Sequence, residues 1–382
     1  MDAVRFLSRL SSTDASGLGP ITIDLLNGTH GPQRTEIEEL IRFLCDDLKP
    51  DVILFSNALL SGVVPELRRR FSGRLCCLLQ GDDVFLEGLP EPWRSQALAL
   101  ITRNAAHFDG LLTHSQYYAD FMQSYLALPA DRFRIIPLTI EDSPLPITTR
   151  ETLGNGVDLM PSPDQPEGAS PRFSPRVRSL EPGASALRLM KSTPSETTGA
   201  DSALTVGYFA RICPEKGAFR FLDAAERILP LRPEMRMIMG GYLPEQHRRR
   251  FELRVKAIQS THPDRLTWAG SPADRDEKFR LIQSFDWLCV PGEYREPKGL
   301  YVLEAALLGV PSLIPAHGAF PERISALGSG ILFDPDKPDA LQSILSDLQS
   351  PTIHRTHLRE KCLNLHGLEQ TGRQVLEVLQ EL

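Results

Sequence analysis

The sequence predicts an α/β protein of two domains, each built on a parallel sheet and facing the other across a cleft. Three observations carry this. Uninterrupted apolar runs alternate with amphipathic stretches from about residue 36 onward, the pattern of strands covered on both faces by helices. The alternation stops at residues 142–203, which are rich in Pro, Ser, Thr, Gly and Glu. It then resumes at residue 204. A length of 382 residues also exceeds what one hydrophobic core ordinarily supports.

In the first series, EIEELIRFLCDDL reads as a helix and DVILFS (51–56) as a strand. GVVPELRRRF reads as helix, RLCCLLQ (74–80) as strand and SQALALITRNAAHF as helix. GLLTHS (110–115) ends a strand, QYYADFMQSYL is the next helix, and RFRIIPL (132–138) closes the series. Residues 142–203 hold too little bulky apolar side chain to offset the entropy of ordering them, so they read as a disordered insert. The second series has strands at LTVGYFA (204–210), MRMIMGG (235–241), RLTWAG (265–270), DWLCVPG (286–292), PSLIPA (311–316) and GILF (330–333). Helices fall between them. The boundaries expected are 1–141, 142–203, 204–351, and a helical tail over 352–382 that can cross back to the first domain.

The formal charge of −7 guarantees no broad basic surface, which argues against a general nucleic-acid binder. Arg68-Arg69-Arg70 and Arg248-Arg249-Arg250 read as solvated helix faces. The six cysteines show no CxxC pair and no Cys/His ligand spacing, as expected of reduced thiols. No run approaches the length of a membrane span, and MDAVRFLSRLSS has no signal-peptide core. A cytoplasmic location is the expectation, with peripheral membrane contact left open.

Chemistry concentrates just past strand ends of the second series, where ligands sit in open parallel sheets. After LTVGYFA comes Arg211-Ile-Cys-Pro-Glu-Lys216-Gly217, two cations able to face one anion. After DWLCVPG comes EYREPKGLYVLEA (293–305). Here Gly299, Leu300 and Tyr301 present backbone N–H groups at a helix start, which suits a diphosphate beside Arg and Lys. Glu304, one turn inside that helix, can accept both hydroxyls of a ribose. Glu296 would face whatever the far phosphate carries. The plainer alternatives are a turn residue for Glu296, a helix-surface charge for Glu304, and surface cations for Arg211 and Lys216. Val302, Leu303, Ala305, Ala306 and Leu307 leave Glu304 little polar face.

Arg211…Lys216-Gly217 with Glu296…Glu304 at an E-x7-E spacing resembles the donor site of group 1 (family 4) retaining glycosyltransferases. Leu308-Gly309-Val310-Pro311 and Gly318…Pro321-Glu322 extend the likeness. It is close over 204–335 and looser over 50–140. It implies the GT-B fold, two Rossmann-like domains facing a cleft. It also implies transfer of a sugar from a nucleotide-sugar donor to an acceptor hydroxyl with retention, without a divalent metal or other cofactor. Arg211, Lys216 and Glu296 would be catalytic, and Gly299, Leu300, Tyr301 and Glu304 donor-binding. The acceptor would be a glycan, glycolipid or small molecule. Gln80, Asp82 and His114 fall where the family places acceptor or sugar contacts, and Asp82-Asp83 is set aside as a metal motif. Glu322 is open between a helix-terminal charge and a ligand contact.

Two departures stand out. Gln80 occupies a position where the family often has His, so any role that needs imidazole is lost. The opening MDAVRFLSRLSSTDASGLGP shows no strand and Gly-rich turn, so the start of the first domain is expected to be missing and its sheet to expose an apolar edge. A relative that binds nucleotide-sugar without turnover is the alternative. A dinucleotide oxidoreductase would need a G-x-G-x-x-G after a strand, and the sequence has none.

Overall fold

The structure is a computed structural model and describes residues 17–143, 145–147 and 203–382. Of the proposed insert, 144 and 148–202 lie outside the described residues.

The first sheet holds β1 (Val52–Phe55), β2 (Arg74–Leu78), β3 (Gly110–Thr113) and β4 (Phe133–Ile135), all parallel and in the order β1-β2-β3-β4. Helices α1 (Gly19–Leu26), α2 (Arg34–Arg42), α3 (Val64–Arg70), α4 (Asp82–Glu87), α5 (Trp93–Ala105) and α6 (Gln116–Tyr125) accompany it. The apolar runs became strands because both faces of the central ones are covered: Cys76, Cys77, Leu111 and Leu112 are all buried. Two elements were not anticipated. GPITIDLL starts with Pro20 in the first turn, where proline is tolerated, and is helical because Leu26 and Thr22 bury against the domain. Asp82–Glu87 is a short helix within what reads as a strand-following loop. Among the described residues, β1 stands at an edge of the first sheet, with Leu54 half-exposed.

The second sheet holds β5 (Leu204–Phe209), β6 (Met235–Gly240), β7 (Leu266–Trp268), β8 (Trp287–Cys289), β9 (Ser312–Pro315) and β10 (Ile331–Phe333), all parallel. Its order is β10-β9-β8-β5-β6-β7. Chain direction across the sheet therefore reverses between β5 and β8. Around it run α7 (Ala218–Ile228), α8 (Glu245–Thr261), α9 (Arg275–Gln283), α10 (Leu300–Leu307), α11 (Phe320–Leu327), α12 (Ala340–Asp347) and α13 (Arg355–His366). One large core joins them, with Tyr208, Phe221, Phe251, Phe279 and Phe285 fully buried.

The last helix, α14 (Leu368–Glu381), leaves the second domain and lies on the first sheet. Val375, Val378, Leu379 and Leu382 pack on Cys76, Leu112 and Ile136 there. The chain crosses between domains at two adjacent points. Ile140 bridges Gly367 in parallel and its N–H donates to the His366 carbonyl at 2.8 Å. The Thr139 hydroxyl meets that of Thr371 at 2.9 Å.

Candidate active site

The turns that follow β5 and β8 meet at the reversal point of the second sheet, where an open parallel sheet leaves a crevice. After β5, Ile212 anchors the turn: it is fully buried and its N–H donates to the Tyr242 carbonyl at 2.8 Å. Gly217 closes the turn with φ of 73° and caps α7. A Cβ on Gly217 would stand 2.0 Å from the Pro291 carbonyl oxygen, so the two turns approach as closely as glycine allows. They are also stitched together by backbone, the Glu215 carbonyl accepting from the N–H groups of Glu293 (3.0 Å) and Tyr294 (3.1 Å).

This stitching brings Lys216 onto Glu296. Their side chains form an ion pair, with Glu296 buried and Lys216 about a quarter exposed. The ammonium also lies 5.5 Å from the Tyr294 ring and 5.8 Å from that of Tyr301. Glu296 is held from behind by the turn after β9. Ala319 N–H donates to its carbonyl at 2.8 Å, and a Cβ on Gly318 would come within 2.7 Å of its backbone nitrogen.

Gly299, at φ of 71°, caps α10, whose first turn is Leu300 and Tyr301. Glu304 lies in the second turn of that helix, its side chain mostly buried, and its Oε1 accepts from Lys278 Nζ at 2.6 Å. Lys278, on α9, stands over the rings of Phe209 (5.5 Å) and Phe279 (5.9 Å). Glu296 and Glu304 thus flank the helix start, each facing a lysine. Arg211 shares the turn with Lys216 and is exposed, its carbonyl accepting from the Tyr208 hydroxyl at 2.9 Å.

Across the cleft, the residues expected to touch acceptor or sugar divide. Gln80 reaches the cleft: its Oε1 accepts from Lys298 Nζ at 2.9 Å, while its amide nitrogen donates to the Ser56 carbonyl at 2.9 Å. Asp82 is buried, and its carboxylate takes the N–H groups of Ala58 (2.6 Å) and Gln80 (3.0 Å). It fixes the shape of the Gln80 loop, and burial raises its pKa. Asp83 accepts from the Tyr118 hydroxyl at 2.6 Å. His114 turns its ring to the Ile136 carbonyl (3.2 Å), and burial lowers its pKa to about 4, so it is neutral near pH 7. No group of three or more His, Cys, Asp or Glu able to hold a metal occurs among the described residues. Nor does any described helix have the length and apolarity to cross a membrane.

Spacing alone could not find the contacts that join the domains here. Glu322 caps α6 of the other domain, accepting from Gln116 N–H (3.0 Å) and Tyr117 N–H (2.7 Å) at a helix N-terminus. Ser115 Oγ donates to the Pro297 carbonyl at 2.9 Å. The Arg323 guanidinium donates to the carbonyls of His114 and Lys298. Beside this seam opens a cavity of about 1030 Å³, lined by Tyr117, Arg220, Glu293, Arg295, His317 and Asp334 among others.

The chain is similar to known glycosyltransferases. Residues 194–362 match the family model of glycosyl transferases group 1. A curated relative, D-inositol 3-phosphate glycosyltransferase of Corynebacterium urealyticum, is 24% identical over 219 residues, which is 54% of this chain and 51% of the relative. The chain thus spans about half the length of the curated relative it matches. The crystal structure of Anabaena Alr3699/HepE in complex with UDP superposes with a TM-score of 0.64 at 16% identity, over 93% of this chain and 84% of that one. Sucrose-phosphate synthase of Thermosynechococcus elongatus gives 0.63 at 18% identity, over 91% and 77%. The fold they share is the GT-B arrangement of two parallel-sheet domains.

Proposed function

We propose, for a chain whose residues 194–362 match the family model of group 1 glycosyl transferases, that it transfers a sugar from a nucleotide-sugar to an acceptor hydroxyl with retention and without a divalent metal. The observation that carries this reading is the meeting of Lys216 and Glu296 beside the start of α10, at the reversal point of the second sheet. A diphosphate laid across that helix start meets the N–H groups of Leu300 and Tyr301 and the side chains of Lys216 and Arg211. The difficult step is departure of the nucleoside diphosphate. Cations and dipoles already aimed at the β-phosphate stabilise the charge that gathers there, each such donor being worth on the order of 10²–10³ in rate. Glu304 receives the ribose hydroxyls, exchanging Lys278 for them or keeping both. Glu296 receives hydroxyls of the transferred sugar, and Gln80 approaches that sugar from the other domain.

The relatives suggest the first substrates to try. Solved Anabaena Alr3699/HepE structures contain UDP and UDP-glucose, so uridine diphosphate is the first nucleotude to test here. A second reading, binding without turnover, is favoured by Gln80, which cannot relay a proton. Calorimetry with UDP and UDP-glucose, followed by a sugar-release assay with and without excess chelator, separates the two. Binding with turnover that chelator leaves unchanged supports the proposal. Binding without turnover over a broad acceptor panel favours the second reading, and loss of turnover with chelator overturns metal independence.

A further inference from the structure

Lys298 stands between Glu296 and the start of α10, yet the reading above gives it no task. Its backbone is locked, since its carbonyl accepts from Arg323 Nε at 2.9 Å and the next residue is the cap Gly299. Its side chain leaves the donor-side loop and ends in the cleft at Gln80 Oε1, an amide oxygen of the other domain. That oxygen is neutral. The nearest acid on its own loop, Glu296, is already paired with Lys216. Asp82, the nearest acid across the cleft, has its carboxylate on two backbone N–H groups. Lys298 is therefore a half-buried ammonium with a neutral partner, facing the space where two sugars would meet. Burial disfavours its charge, as the downward direction of its pKa also indicates. Such a group gains most from an anion that arrives with the substrate, because a full negative charge attracts an ammonium more strongly than the dipole of an amide oxygen does.

We infer that Lys298 selects a sugar carrying an anionic substituent, either the carboxylate of a hexuronate donor or the phosphate of a phosphorylated acceptor sugar. The inference rests on the donor-site reading above. Gln80 is the placeholder: its oxygen holds the ammonium in the cleft until the anion displaces it. A charge-assisted contact of this kind corresponds to about tenfold or more in affinity.

The test is calorimetry on the full chain in two arms. The donor arm compares UDP-glucuronate with UDP-glucose, and the acceptor arm compares glucose 6-phosphate with glucose in the presence of UDP. A preference of about tenfold or more for the anionic member is expected in one arm, and the arm identifies its source. It should shrink to within about threefold in K298M, and likewise in Q80E, which keeps the size of Gln80 but supplies the missing negative charge. Thermal melts of both variants establish that each is folded. UDP binding with no anionic preference in either arm overturns the inference and leaves the donor site standing. A preference that survives in a folded K298M removes Lys298 from the assignment. Failure of UDP and of the other nucleoside diphosphates to bind overturns the donor-site reading and this inference with it.

Discussion

Replacing Lys216 by Met tests the centre of the candidate site, because it removes one member of a pair whose other member is buried. Glu296 would lose the ammonium it is paired with. A hydrogen bond between charged groups contributes about 1.5–3 kcal/mol. Stripping one partner from a fully buried pair costs about 3–5 kcal/mol. Lys216 is about a quarter exposed and Glu296 about a tenth, so water screens part of this and a loss near 2 kcal/mol is expected for K216M. For a domain of this size that is a fall of about 4–8 °C in melting temperature. E296Q removes the stranded charge, so the double variant K216M/E296Q should recover much of the loss, with a coupling of about 1.5 kcal/mol in the cycle. Differential scanning calorimetry measures the cycle and titration calorimetry with UDP measures the site. Affinity for UDP should fall at least tenfold in K216M and stay low in the double variant. Additive melting shifts, with coupling under about 0.5 kcal/mol, would show that the two side chains do not pair in solution. Unchanged UDP affinity in K216M would place the anion site elsewhere.

Three further outcomes follow from the same geometry. E304A should weaken nucleotide binding while leaving circular dichroism unchanged, and K278M should reveal whether the Glu304 carboxylate is shared or surrendered; tighter binding in K278M means the lysine competes with the ribose, and unaltered affinity in E304A removes the ribose assignment. E322A takes away the carboxylate that accepts from the first N–H groups of α6 and should loosen the domain seam, read as a larger radius of gyration by small-angle scattering without ligand; an unchanged radius would mean that the other seam contacts suffice. Burial depresses the folded-state pKa of His114 and His366 from 6.5 to about 4. Between those values the unfolded chain takes up protons that the folded chain refuses, so stability is complete above pH 6.5 and declines as pH drops towards 4. H366N, which can still donate to the Leu138 carbonyl now met by the ring at 2.9 Å, should flatten that decline; an identical pH slope in the variant would exclude His366 as a source.

How much of this was legible in the sequence depends on how local each feature is. Strands such as LTVGYFA and GLLTHS announce themselves because a strand buried on both faces is apolar throughout. The turns holding Arg211, Lys216, Glu296 and Gly299 were legible because their spacing is local and their place after a strand follows from the α/β rule. Helix α1 was not legible, since GPITIDLL carries its polar residues without a helical stripe and is fixed by packing. The partners of the site residues were hidden for another reason. Lys278 meets Glu304 across 26 residues, Lys298 meets Gln80 across 218 and Glu322 meets Tyr117 across 205. No periodicity encodes such meetings; the first exists only once the second domain has folded, and the other two only once the two domains face each other. Asp82 shows the converse, since its type and place suggest a ligand contact while its oxygens are occupied by backbone N–H groups.

The paired passages at Ile140 and Gly367 set how the halves of the molecule can move. Two strands of chain lying side by side, bonded to each other, tolerate torsion about their shared line far better than they tolerate separation. An opening of the cleft is then expected as a swing around that line, like a door on a pin. Displacement grows with distance from the pin, so a pair of fluorescent labels at exposed Val84 and Tyr242 would report the swing, and a pair beside Thr139 would report nothing.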